Sequence, residues 1–200
     1  MKKLSVFAMA LTLCLTLALS ASTGAQTTAG QKQDPLANLS AKDKQTVAAF
    51  EKRVKEYVKL RERLEGKMPK LSKDATPEQI EAHKTAFQAR VRAARAGAKP
   101  GQMFKSDIAG FIRAAVKDEF KGRERAELRE TVFEAETQGV PLRVNYPYPE
   151  AKELVEMPPT LLLRLPQLPK QVRYRFVGRN MLLVDRENAL ILDYMPDALP

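Results

Sequence analysis

The sequence predicts an α+β fold, mostly helical, with about four helices followed by a small C-terminal antiparallel β meander. Three observations carry this. Residues 40–139 repeat apolar side chains in steps of three and four between helix-start and helix-stop signals, which is the period of amphipathic helices. Pro141, Pro147, Pro149, Pro158, Pro159, Pro166 and Pro169 then forbid a long helix and favour extended chain. Beyond them VRYRFVGR, NMLLVD and NALILD are short apolar segments divided by turn residues, the pattern of hairpin-connected strands.

Residues 1–25 have the three-part layout of a cleavable export leader: Lys2 and Lys3, an apolar run from Leu4 to Leu19, and small residues from Ser20 to Ala25. Cleavage after Ala25 leaves Gln26 as the new N-terminus, and Ala21 offers an alternative cut. As a membrane anchor the apolar core of 16 residues is short against the roughly 20 that a bilayer crossing needs. Cys14 is a poor lipid-attachment site, because bulky Leu13 precedes it and apolar residues follow it. Cys14 is the one cysteine, so the mature chain is expected to form no disulfide and no thiolate metal site.

The formal charge of +10 becomes +8 once Lys2 and Lys3 leave with the leader. Its distribution is uneven: residues 40–105 hold 17 basic against 8 acidic side chains, and residues 106–200 hold 14 against 15. Such asymmetry marks either solvated helix faces or contact with an anionic surface.

Residues 26–39 are polar and aperiodic, and are read as a flexible spacer. The helical domain spans 40–139. Its first helix starts at Ser40 as N-cap and runs to about Gly66, with Val47, Phe50, Val54, Tyr57, Leu64 and Met68 on one stripe that Arg61 interrupts. Glu51 with Lys55, and Arg61 with Glu65, are one turn apart and suited to ion pairing. The a/d-type spacing serves packing within the chain or pairing with a second copy in a homodimer.

The second helix starts at a capping box, Thr76-Pro77-Glu78-Gln79, and is predicted to run from Pro77 to about Ala96. Ile80, His83, Phe87, Val91 and Ala94 trace an apolar side; Lys84, Gln88, Arg92, Arg95 and Lys99 trace a basic one. A break at Lys99-Pro100-Gly101 leads to a third helix, capped by Ser106 and reaching about Lys121. Ile108, Phe111, Ile112, Ala115, Val116 and Phe120 give it the widest apolar face, which predicts the centre of the core. A fourth helical stretch is predicted over Arg123–Gln138, closed by Gly139. Residues 140–170 are a proline-rich extended connection with a short helix or turn at Ala151–Met157. Residues 171–200 are a three-stranded appendage in which Val172, Tyr174 and Phe176 alternate with polar neighbours, as in a half-buried strand.

The segments LPQLPKQVRYRFVGRNMLLVDRENALILDYMPDALP and DATPEQIEAHKTAFQARVRAARAGAKPGQMF resemble the C-terminal end and the helical middle of a group of uncharacterised exported bacterial proteins. More distantly, Tyr174–Val177 with Val184, Asp185 and Leu190–Asp193 is similar to the terminal hairpin of small periplasmic proteins linked to nickel and cobalt homeostasis. The chain has no histidine-rich stretch to match those proteins, so no metal role transfers.

Chemical motifs are mostly missing. A helical zinc signature needs two histidines one turn apart, and the chain has one histidine. His83 lies beside Ile80 and Phe87 and is read as a packed or half-buried side chain. G-x-S-x-G and the glycine-rich phosphate loops do not occur, so neither a metal nor another cofactor is called for. Asp185 and Asp193, flanking the last turn, are the candidates for a carboxylate pair of the kind that cleaves glycosides, with capping of strand ends as the plainer reading. Lys84, Arg92, Arg95 and Lys99 are the candidate binding residues, for an anionic envelope surface or an acidic envelope protein. Nucleic acid is disfavoured, because no exposed aromatics interleave with the stripe and the leader sends the protein out of the cytoplasm. The sequence therefore points to an exported, periplasmic or extracellular protein that binds or builds without catalysis. Peripheral binding of anionic lipid or wall polymer and carboxylate-based hydrolysis are the alternatives.

Overall fold

A computed structural model describes residues 38–121, 141–148 and 157–199. The predicted leader, most of the predicted spacer, the helical stretch predicted over 123–138 and nearly all of the turn predicted at 151–157 lie outside the described residues. Those residues form an α+β fold: α1 (Ala41–Glu65), α2 (Pro77–Ala94), α3 (Ser106–Glu119), a one-turn α4 (Pro159–Leu162), then β1 (Val172–Val177), β2 (Asn180–Asp185) and β3 (Ile191–Met195). The strands form an antiparallel meander in the order β1-β2-β3.

Local chemistry sets the helix boundaries. Ser40 Oγ accepts from the Asp43 amide at 3.1 Å, occupying one of the donors that a helix start leaves without a partner. At α2 both halves of the capping box are present: the Gln79 amide donates to Thr76 Oγ1, and the Thr76 amide donates to Gln79 Oε1. The third helix departs from expectation. Lys105 is its N-cap, Ser106 is its first residue, and no side chain caps it. Within its first turn the Ile108 amide donates to Asp107 Oδ1 at 2.8 Å.

The core lies between the three long helices and one face of the sheet. Phe50 of α1 stacks on Phe104 at 5.8 Å and on Tyr174 of β1 at 6.5 Å. Phe120, at the end of α3, meets Phe176 edge-on at 6.2 Å. Val54, Phe87, Val91, Ile108, Ile112 and Val116 pack into the same cluster as Leu183, Leu192 and Met195. The last thirty residues are thus a wall of this core. That agrees with the physics of a three-stranded sheet, which is marginal unless a helical layer covers it.

The sheet is also more deeply buried than a half-buried strand pattern implies. From Met181 to Asp185 every residue of β2 is buried. Its second face packs Leu182 and Val184 with Val177, Ile191 and Tyr148. The cover comes from residues 142–148, part of the connection read as extended linker. Asn145 N donates to Ile191 O at 2.7 Å, Ile191 N to Tyr146 O at 3.0 Å and Tyr148 N to Ala189 O at 2.8 Å. This segment lines the edge of β3 and supplies backbone partners that an open edge would lack. Farther along, Pro159 opens α4 at a first-turn position, where its missing N–H costs nothing.

Glycine supplies left-handed backbone at two turns. Gly178 has φ 51° between β1 and β2, and Gly101 has φ 80° between α2 and α3, where a side chain would be strained.

Candidate functional site

The two candidate carboxylates are both fully buried, and both are saturated. Asp185 sits at the end of β2. Its Oδ1 accepts from the Glu187 amide, the Asn188 amide and Asn188 Nδ2 at 3.0–3.2 Å, which fixes the turn into β3. Its Oδ2 accepts from Tyr57 Oη at 2.7 Å and Arg61 Nε at 3.1 Å, both on α1. Arg61 also reaches Glu65 at 2.7 Å and Glu187. The residue that breaks the apolar stripe of α1 is therefore a buried cross-brace. Burial opposes the Arg61 charge, but Asp185, Glu187 and Glu65 together outweigh it and raise its pKa. Burial foremost, then Asp185, pushes the Tyr57 hydroxyl far above the ordinary tyrosine range.

Asp193 joins the sheet to the loop between α2 and α3. Its Oδ1 accepts from the Gly101 amide at 2.7 Å and the Tyr194 amide at 2.9 Å; its Oδ2 accepts from Met103 N at 2.7 Å and Phe104 N at 2.8 Å. The left-handed Gly101 curls the loop so that these amides converge on one carboxylate. A general acid or base must offer substrate a free lone pair or a transferable proton. Both carboxylates spend their oxygens on the fold instead: Asp185 caps the end of β2 as expected, whereas Asp193 lies in the middle of β3 and reaches out of the sheet to the loop amides.

A pH dependence follows from the phenols. Tyr57 and Tyr174 both have raised pKa values, chiefly through burial. The native state keeps these protons when the unfolded chain loses them near pH 10, so their contribution is complete below pH 10 and declines as pH rises beyond it. Thermal unfolding should show a falling midpoint above pH 10, less steep in Tyr57→Phe. A midpoint flat to pH 11 contradicts the burial of both hydroxyls.

The four basic candidates on and after α2 do not form one exposed row. Lys84 pairs with Glu81 at 3.6 Å. Gln88, placed with them by spacing, is buried and donates to Asn188 O at 3.0 Å. On the side read as apolar, Ile80 is 46% exposed, while His83 Nε2 lies 3.1 Å from Pro69 O and is half-buried, as expected. The buried face of α2 is thus rotated toward Gln88, because the β2–β3 turn supplies a polar partner there.

Arg95 turns inward. It donates to Asn145 Oδ1 at 2.7 Å and to Leu192 O at 3.0 Å, and its guanidinium lies 5.5 Å from the centroid of the Tyr57 ring. Leu192 is the extra residue where the β2–β3 register shifts, and such a bulge frees a carbonyl from the ladder. Asn145, at φ 66°, returns a bond from Nδ2 to Arg95 O at 2.8 Å. Burial lowers the Arg95 pKa, with Tyr57 and Asp193 opposing. This reciprocal pair clamps residues 143–146 against the end of α2.

The clamp creates a cleft of about 490 Å³ lined by Arg92, Ala96, Ala98, Pro100 and residues 142–146. Arg92 lies 4.5 Å and Arg143 3.9 Å from the centroid of the Tyr146 ring. Among the described residues no acidic side chain lines the cleft, and neither guanidinium has an acidic partner. Arg92 Nε is closed off from solvent without a hydrogen-bond partner, a state shared by Tyr148 Oη and Arg173 Nε. Lys99, exposed between the lining residues Ala98 and Pro100, stands at the rim of the loop. Of the predicted residues, then, the structure brings Arg92 to the cleft, sets Lys99 between two lining residues, joins Arg95 to the lining residue Asn145 and leaves Lys84 two turns away.

Arg143 and Tyr146 were hidden by the prolines around them. A signal exists: Leu142, Val144, Tyr146 and Tyr148 alternate with Arg143, Asn145 and Pro147, the period of an edge strand. Among the described residues no group of His, Cys, Asp and Glu side chains is arranged to hold a metal, and no helix is long and apolar enough to cross a membrane.

Comparison with known proteins adds no family. No family model matches the chain, and neither the curated proteins nor the solved structures contain a match.

Proposed function

We propose that this is an exported, non-catalytic binding component of a bacterial envelope, which holds an anionic group through the basic end of α2. The observation that supports this is the cleft at Arg92 and Arg143, where two guanidiniums lie over one Tyr146 ring with no acidic side chain among the described lining residues. The saturation of Asp185 and Asp193 supports binding over hydrolysis, since the carboxylates nominated by position hold the fold together. Export rests on the leader pattern of residues 1–25 and on the resemblance of the C-terminal segment to exported proteins.

The test uses the full chain expressed with its leader. Mature protein starting at Gln26 is expected outside the cytoplasm, and an intact Met1 on a cytosolic product overturns export. The purified mature protein is expected to co-sediment with vesicles containing anionic lipid or with wall fragments at low salt, and to be released as salt screens the attraction. Equal retention on neutral vesicles, or none at low salt, overturns the binding reading.

A further inference from the structure

We propose that the cleft between the end of α2 and residues 142–146 is a phosphomonoester site, with Arg92 and Arg143 as its two cationic ligands. This rests on the binding reading above and names the chemistry of that same site. Both guanidinium carbons lie within 4.5 Å of one ring centroid, so the two charges are separated by less than a Debye length of about 10 Å at 0.1 M salt. Like charges that close repel. The Tyr146 ring offsets part of the repulsion through its quadrupole, but it is neutral and accepts no hydrogen bond at the guanidinium edges.

The ligand that relieves this arrangement carries two negative charges and several acceptors on one compact group. A phosphomonoester does so at neutral pH, and its oxygens suit the forked donors of arginine. A monoanionic carboxylate satisfies one cation and leaves the other. The cleft of about 490 Å³ has room for the phosphate and part of whatever bears it, and its Ala96, Ala98 and Leu142 walls are apolar.

The site is also pre-organised. Arg143 stands two residues before Asn145, whose side chain is locked in both directions to Arg95. Arg92 is one turn before Arg95 on the same helix. The part-buried Arg95 is therefore a positioning residue: it spends its donors on Asn145 and Leu192 and holds the two binding arginines at one ring.

Phosphomonoesters come free in solution or as the headgroup of phosphatidic acid, and the experiment separates these sources. The mature full-length protein is titrated calorimetrically with glycerol 3-phosphate and, separately, with phosphatidylcholine vesicles with and without phosphatidic acid. Arg143→Gln changes an exposed side chain and is expected to weaken phosphomonoester binding about tenfold, as loss of a charged hydrogen-bonding partner does. Arg90→Gln removes the same charge from an exposed site on α2 outside the cleft and is expected to change it less than about twofold. Affinity should rise as pH passes through about 6, where the ligand gains its second charge. Binding of glycerol 3-phosphate supports a soluble ligand. Binding confined to phosphatidic acid vesicles, and lost in Arg143→Gln, supports a lipid one. Vesicle binding equal in Arg143→Gln and Arg90→Gln overturns the cleft and leaves the general surface reading standing. Absence of binding to either probe overturns the phosphomonoester assignment, whereas the salt-released sedimentation of the preceding test stands or falls separately.

Discussion

Asp193→Ala is expected to destabilise the fold by about 3–5 kcal/mol, because it leaves amides of Gly101, Met103, Phe104 and Tyr194 without an acceptor. Each buried donor left unmade costs roughly 1–3 kcal/mol; Tyr194 and Gly101 are part-buried and recover some of this from water. The loss falls on a domain whose whole stability is of the order of 5–15 kcal/mol. Urea denaturation followed by far-UV circular dichroism checks it. Asp193→Asn is a sharper test, since an amide presents one oxygen where the loop needs two and directs N–H groups at other N–H groups. It should fall near the alanine variant. Wild-type stability in either variant contradicts the amide cradle. Because the same loop carries Lys99 and Pro100, the cleft beside it should loosen with it.

Arg61→Leu is expected to cost about 3–5 kcal/mol, the range seen when one partner of a buried ion pair is removed and the other charge stays behind. Asp185 is fully buried and Arg61 is 4% exposed, so neither charge has water to fall back on. Glu65 and Glu187 also touch Arg61, but their side chains are 46% and 65% exposed. Glu65→Gln and Glu187→Gln should therefore each cost under about 1 kcal/mol. The contrast decides between a brace centred on Asp185 and a diffuse surface network. Equal effects from all three substitutions argue for the network. Tyr57 donates to the same Oδ2, so Tyr57→Phe and Arg61→Leu should be non-additive in a double-mutant cycle.

Both predictions concern residues that the sequence presents ambiguously. Arg61 sits on the apolar side of α1 at a spacing that calls for a hydrophobe. Such a residue is either a fault in the helix or a buried cation with a partner far along the chain. Asp185 lies 124 positions away, beyond the reach of any local pattern. Asp193 in LILDYM likewise interrupts an apolar strand, and the sequence can register the anomaly without naming the loop amides that resolve it. The basic stripe shows the same limit from the other side. Lys84, Arg92, Arg95 and Lys99 are near neighbours by helical spacing, yet α2 is rotated so that Gln88 and Arg95 face the sheet. Charge alone did not forbid that, because Asn188, Asn145 and the Leu192 carbonyl offered partners.

What the sequence determined by itself was local: the α+β class, the Ser40 and Thr76 helix starts, the stripes of α1 and α3, and the β1-β2-β3 meander with its turns at Gly178 and Arg186–Asn188. Periodicity and capping are set by residues within a few positions of one another, so a single chain read in order contains them. Only the tertiary structure decided that residues 142–148 cover the edge of β3, that Asp185 braces α1 and Asp193 the α2–α3 loop to the sheet, and that Arg92 and Arg143 both lie over Tyr146. Each of these is a pairing across about forty or more residues, chosen because a buried charge or an open strand edge must find a partner somewhere, and linear order does not say where.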